Sequence, residues 1–153
     1  MDKKSSEIIK QFKLLPHPEG GWFKEIFRSE NYVTRKDCEK RNNITGIYYM
    51  LRKNEISTWH RVISADEIWI HLKGAPLNLW CLDNGNKELR RLRIDSNNPI
   101  EIIPSGYWQA ASSSGVFTLV SCCVGPGFDF SDFEMLRNLD PALRPTKALK
   151  EFI

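Results

Sequence analysis

Ser57-Thr58-Trp59-His60-Arg61-Val62-Ile63-Ser64-Ala65-Asp66-Glu67-Ile68-Trp69-Ile70-His71-Leu72-Lys73-Gly74 reads as two short strands separated by a turn at Ser64-Ala65-Asp66. Side chains on a strand alternate between faces with period two. Thr58, His60 and Val62 are therefore expected on one face of the first strand, and Glu67, Trp69 and His71 on one face of the second. If these faces point inward, an imidazole and a carboxylate stand side by side in a partly apolar cavity lined by Trp69. A buried carboxylate is rarely left unpaired, so Glu67 needs a histidine, a metal or a ligand there.

The same texture continues on both sides. Segments rich in β-branched and aromatic residues run over 44–51, 57–63, 66–72, 76–82, 87–94, 99–103, 107–111 and 116–124. Turn signals separate them: Asp83-Asn84-Gly85-Asn86, Ser96-Asn97-Asn98-Pro99, Ser105-Gly106 and Ser112-Ser113-Ser114-Gly115. Strands this closely spaced, with no helices between them, imply an all-β antiparallel sandwich or barrel. Residues 5–14 read as a short amphipathic helix with Ile8, Ile9 and Phe12 on one side. It stops at Leu15-Pro16-His17-Pro18-Glu19-Gly20-Gly21, where two prolines and two glycines argue against both helix and strand. Trp22 to Ser29 alternates, a polar loop spans Glu30 to Asn43, and two short helices are expected near 131–138 and 146–152. The expected organisation is one domain, 1–153.

Composition narrows the function classes. Hydrophobic residues make up 41% and charged residues 27% of the 153, as in ordinary globular proteins. The longest apolar run, Val116 to Val124, is a strand's length, far short of the ~20 residues that cross a membrane. The polar start Met1-Asp2-Lys3-Lys4-Ser5-Ser6 leads into no signal-peptide core, so no membrane association and a cytoplasmic location are expected. A net charge of +3 with scattered basic residues argues against a nucleic-acid partner. Cys38, Cys81, Cys122 and Cys123 form no C-x-x-C pair and read as free thiols.

The motif around His60 resembles the first cupin motif, H-x-H-x(3,4)-E-x(6)-G: His60 matches the first histidine, Glu67 the glutamate and Gly74 the glycine, while Val62 stands where the second histidine would be. Pro104, Gly106 and Gln109 fall on the second motif, P-x-G-x(2)-H, with Gln109 at the histidine position. The strings Pro16 to Ser29, Ile47 to Leu51, Ser57 to Val62, Asp66 to Trp69, Ile103 to Ala110 and Val124 to Phe130 resemble one subfamily: small single-domain cupins catalogued as a domain of unknown function. The likeness runs from about residue 10 to 137. It implies a cupin double-stranded β-helix, or jelly-roll, barrel with a short N-terminal helix and short C-terminal helices. It usually implies a homodimer, here with the N-terminal helix and first strand covering or extending a neighbour's sheet.

Metal-dependent cupins offer three histidines and a carboxylate. His60, Glu67 and Gln109 are the metal candidates of this chain, two good ligands and a poor one. The cofactor expectation is therefore none, or a weakly held divalent transition metal. His71 lies about 13 Å along the strand from Glu67, too far to supply the missing ligand without a bulge. Without metal, His60 and Glu67 read as an acid–base pair in which Glu67 hydrogen-bonds one ring nitrogen and the other faces the cavity. Tyr48, Trp69, Gln109, Arg28 and His71 are the ligand-binding candidates; Tyr48 is preferred over Tyr49 on the subfamily motif. Arg28 reads equally as the partner of a carboxylate at a dimer interface, and His17 as a cover for the pocket or a loop-ordering residue.

Three function readings follow. The resemblance to epimerase-type cupins implies a sugar or nucleotide-sugar isomerase or epimerase. The others are a cupin that binds a small ligand without turning it over, and a metal-dependent enzyme.

Overall fold

The computed structural model describes residues 3–85 and 87–153; Met1 and Asp2 of the polar start, and Asn86 of the Asp83–Asn86 turn, lie outside the described residues. Helix α1 (Lys3–Phe12) leads into β1 (Leu15–Pro16), β2 (Trp22–Arg28), the hairpin β3 (Tyr32–Thr34) and β4 (Lys40–Asn42), then β5 (Thr45–Arg52), β6 (Ile56–Val62) and β7 (Asp66–Gly74). The chain continues through β8 (Leu77–Leu82), β9 (Leu89–Ile94), β10 (Ile100–Ile103), β11 (Trp108–Ser113), β12 (Phe117–Gly125) and β13 (Phe133–Met135). The eight stretches read as strands are all strands.

They form two facing antiparallel sheets, ordered β1-β2-β5-β12-β7-β10 and β13-β6-β11-β8-β9. This is the expected all-β jelly-roll. β6 and β7 are consecutive yet lie in opposite sheets, so the turn at Ser64 (φ 60°) crosses between layers. His60 and Glu67 consequently face each other across the interior.

Alternation decides what fills each layer. Tyr49, Leu51, Trp69, Leu79, Ile103 and Val120 pack between the sheets. On the outer side of the six-stranded sheet, Ile8 and Leu14 cover Met50, Phe117 and Leu119. On the outer side of the other sheet, Trp59, Trp108, Leu136 and Phe152 form a separate cluster that fastens the C-terminal segment. Each fully buried large side chain contributes roughly 1.5–3 kcal/mol.

Three sequence expectations need correction. In place of the two expected C-terminal helices stand single 3-10 turns, Phe130–Asp132 and Leu136–Asn138 near the first and Lys150–Phe152 near the second, with a further one at Pro141–Leu143 between them. β13 pairs with β6, and those ladder bonds take the backbone groups that a helix over 131–138 would use. Leu15–Pro16 is a two-residue edge strand, where a proline's missing N–H does no harm. The polar loop Glu30–Asn43 contains the β3–β4 hairpin. Within the chain, α1 packs on the outer side of the six-stranded sheet. Among the described residues, no helix is long and apolar enough to cross a membrane.

Candidate functional site

The loop between β1 and β2 turns back on itself, with the Gly20 N–H bonded to His17 O and the His17 N–H to Gly21 O, both at 3.0 Å. Gly20 has φ 109°, and a Cβ there would stand 2.2 Å from the Ile56 carbonyl oxygen. Only glycine permits that positive φ and that approach. β6 then pins the loop, for Thr58 donates to Glu19 O through both its N–H (2.8 Å) and its hydroxyl (3.0 Å). The result inserts His17 and Glu19 between the sheets at one end.

β6 is bulged: Gln109 opposes His60 and Ala111 opposes Ser57, so three steps on β6 match two on β11. Ser57, rather than Thr58, therefore shares the inward side with His60, and its hydroxyl donates to Glu19 Oε1 at 2.9 Å. His60 is 2% exposed. Its Nδ1 lies 2.8 Å from Thr58 O, which can only accept, so Nδ1 carries a proton. Its Nε2 lies 3.1 Å from Glu19 Oε2. One further proton must sit between Nε2 and that oxygen, on either atom. Burial pushes Glu19 up from the ordinary carboxylate range and His60 down from the ordinary histidine range. Both directions favour a neutral Glu19 carboxyl donating to a neutral imidazole.

His17 is held neutral in the same way: burial lowers its pKa. Its Nδ1 accepts the Glu19 N–H at 3.3 Å, which leaves the ring proton on Nε2. Among the described residues no group accepts from that Nε2–H. Tyr49 completes this wall and donates to Gly20 O at 2.7 Å.

Across the cavity, Glu67 accepts from Gln109 Nε2 at 2.5 Å, and Gln109 Oε1 accepts the Trp69 indole N–H at 2.8 Å. An indole can only donate, so Trp69 fixes which end of the Gln109 amide meets Glu67. Burial, aided by the nearby Glu19 carboxyl, pushes Glu67 up to about 7, against the pull of His60, Gln109 and the Cys122 thiol. Glu67 therefore exchanges its proton near neutrality. Between these groups lies a cavity of about 290 Å³, walled chiefly by Phe23, Ile47, Phe128, Phe130 and Phe133. Glu25, Arg28 and Asp129 also line it.

The residues singled out by sequence divide cleanly. His60 and Glu67 line one cavity, but the carboxyl bonded to His60 is Glu19, and both His60 ring nitrogens are engaged, so neither faces the cavity freely. Gln109 and Trp69 stand behind Glu67 and position it. Tyr48 points the other way, its ring 4.9 Å from Phe12 of α1, because alternation on β5 gives the inward place to Tyr49. His71 is far along β7, with Nε2 3.2 Å from Ala75 O. Arg28 does line the cavity. A bulge between Glu25 and Phe27 shifts the phase of β2, bringing Arg28 onto the side of Phe23 and Glu25. Sequence reading passed over Glu19. A glutamate beside a histidine in a Pro/Gly-punctuated loop was its one signal, and the turn chemistry masked it.

The metal set does not fit. Gln109 is spent between Trp69 and Glu67, Nδ1 of His60 is protonated, and Val62 offers no donor. Among the described residues, no three His, Cys, Asp or Glu side chains are arranged to hold a metal ion.

Comparison with known proteins gives a consistent pattern. A family model described as "Cupin superfamily (DUF985)" matches residues 6–136. An uncharacterised protein of Saccharomyces cerevisiae is 28% identical over 155 residues, covering 88% of this chain and 76% of its own. A hypothetical protein from Leishmania major superposes with a TM-score of 0.79 at 30% identity, covering 85% of both chains. A Shewanella oneidensis protein gives a TM-score of 0.75 at 31% identity, over 86% of this chain and 83% of its own.

Proposed function

The chain belongs to the cupin superfamily, in its DUF985 branch, and from that premise we propose that it is a small-molecule enzyme of isomerase type that moves a proton at carbon. The observation that carries this reading is the pairing of a buried Glu67, pushed up to about 7, with His17, which lines the same cavity and whose Nδ1 accepts the Glu19 N–H. In its ionised form Glu67 takes a proton from the carbon next to a carbonyl. The electron pair moves onto the carbonyl oxygen, where the His17 Nε2–H stabilises it. With an α-hydroxy aldehyde or ketone as substrate, Glu67 then gives a proton, exchangeable with solvent, to the former carbonyl carbon while the α-hydroxyl proton passes to the former carbonyl oxygen, so no proton is gained or lost overall.

Epimerisation is less well supported. It needs an opposed proton donor, and the proton of the Glu19–His60 pair is already bound between its two owners. A nucleotide-linked sugar also fits poorly. Its diphosphate calls for free cationic donors, whereas Arg28 spends Nε and Nη2 on Glu25 and Nη1 on Asn42 and Phe128 O.

The test is deuterium incorporation from heavy water into a panel of small aldehydes and ketones, followed by NMR. The native protein is expected to exchange one carbon-bound hydrogen, faster as pH rises through about 7, where Glu67 ionises. Glu67→Gln is expected to lose roughly 10²–10⁴-fold of that rate. Ligand binding without exchange would favour the non-catalytic reading instead. Unchanged exchange in Glu67→Gln would remove Glu67 from the chemistry.

The assembly reading is a two-fold dimer. Ile26, Ile68, Ile100 and Ile102 are exposed on the six-stranded sheet, on the outer side that α1 only partly covers, and a second copy is the simplest occupant. Sedimentation should give twice 17.8 kDa; a monomer at micromolar concentration would contradict it.

A further inference from the structure

We propose that the cavity selects a small organic cation, an ammonium compound that also carries a carbonyl or hydroxyl oxygen, and rejects anions. The inference rests on reading the cavity as a ligand site, and does not depend on proton transfer there.

Its walls come first. Phe128, Phe130 and Phe133 cluster with centroids 5.0–6.0 Å apart. Their planes cross at 82°, 67° and 84°. Phe23 adds a fourth phenyl ring and Tyr49 a phenol. Rings set at steep angles present π faces in several directions, and those faces carry the negative end of the quadrupole. An ammonium group gains from such a lining; an anion is repelled by it.

Charge points the same way. The cavity is lined by Glu25, Glu67 and Asp129 and by the neutral carboxyl of Glu19, with Arg28 as the permanent cation in its lining. Arg28 has its donors committed to Glu25, Asn42 and Phe128 O, so its charge is matched locally by Glu25. Asp129 is held below the ordinary carboxylate range, first by hydrogen bonds from Ser131, and stays ionised. The two histidines are neutral. No free donor of positive charge is left for a phosphate or carboxylate, while the carboxyl of Glu67 is placed to receive a cation.

The third element is an acceptor on the ligand. The His17 side chain is 7% exposed, and its Nε2–H finds no acceptor among the described residues. A ring N–H on the wall of the cavity favours an occupant that brings an oxygen to it. An apolar body, one positive nitrogen and one oxygen within a small molecule satisfy all three features.

Choline and its neutral isostere 3,3-dimethylbutan-1-ol share shape and hydroxyl and differ in charge, so calorimetric titration of both isolates the cation. Choline is expected to bind roughly fivefold to tenfold tighter, with inorganic phosphate showing no binding. Phe133→Leu should erase most of the difference, and a thermal melt confirms that the variant is folded. If it does not fold, the two probes on the native protein still decide. Equal or weaker binding of choline, no binding of either alcohol, or binding of phosphate would overturn the proposal. Deuterium exchange is read separately: its failure with cation preference intact sinks only the isomerase reading, and the converse sinks only this one.

Discussion

Glu19 and Glu67 at the cavity are 5% and 7% exposed, and Asp132, under the β3–β4 hairpin, is 6% exposed. Burial is thus the same, yet their acidities diverge. Asp132 receives Arg35 and Arg41 together, each in two hydrogen bonds of 2.8–3.2 Å. Burial alone would raise it, but the guanidinium bonds outweigh that and leave it below the ordinary carboxylate range. Glu19 and Glu67 meet histidines, an amide, a hydroxyl and each other, and both are pushed up. The partner's charge, rather than depth, decides whether a buried carboxyl is ionised. The clasp at Asp132 fastens the hairpin to the segment that carries Phe130 and Phe133; the cavity carboxyls hold exchangeable protons.

The sharpest contrast is in neutralisation. Asp132→Asn leaves two nearly buried guanidinium groups facing an amide and should cost about 3 kcal/mol or more in urea unfolding at pH 7. Glu19→Gln should cost less than about 1 kcal/mol. A neutral amide can donate to His60 Nε2 as the protonated acid does and still accept from Ser57. Equal losses would erase the distinction between the two regions.

Stability against pH sharpens it further, with opposite signs. The folded pKa of Glu67 lies above its unfolded value, so the folded state binds the extra proton between them. Stability from this group is present at low pH and declines as pH rises toward about 7. Relative to the native protein, Glu67→Gln should therefore gain roughly 1 kcal/mol per pH unit across pH 5 to 7. Asp132 has the depressed pKa, so its contribution is present above the unfolded value and is lost as acid protonates the folded carboxylate. Asp132→Asn should approach the native protein in stability only in strong acid. Parallel curves would contradict the assignment.

The smallest effects separate two adjacent tyrosines. Tyr49→Phe removes the hydroxyl bonded to Gly20 O and should cost about 1 kcal/mol. Tyr48→Phe should stay within about 0.5 kcal/mol, because its ring rather than its hydroxyl packs on Phe12.

The strands were readable because β-branched and aromatic runs alternate with unmistakable turns, and the eight central ones lie where that pattern puts them. Period-two reasoning also put His60 and Glu67 on inward faces. It failed where a bulge changed the phase, at Thr58–Trp59, which gave Ser57 the place expected for Thr58, and a second bulge at Ile26 puts Arg28 on the side of Phe23 and Glu25. Bulges leave little trace in one sequence, since they depend on the partner strand. Tyr48 was preferred on motif likeness, and no strand phase of its own could decide between the pair. Glu19 was hidden for a different reason. Its loop has no periodicity at all, and only the close fit of Gly20 against Ile56 O brings its carboxyl to His60.

The most direct test is a carboxyl ¹³C titration of the native protein by NMR, with Glu67→Gln and Asp132→Asn used to assign the two resonances. Glu67 should titrate near pH 7 and Asp132 below the usual aspartate range. A Glu67 midpoint near 4.5, the ordinary glutamate value, would mean that it is fully ionised at neutrality, and the rise in exchange through about pH 7 assigned to it would lose its cause.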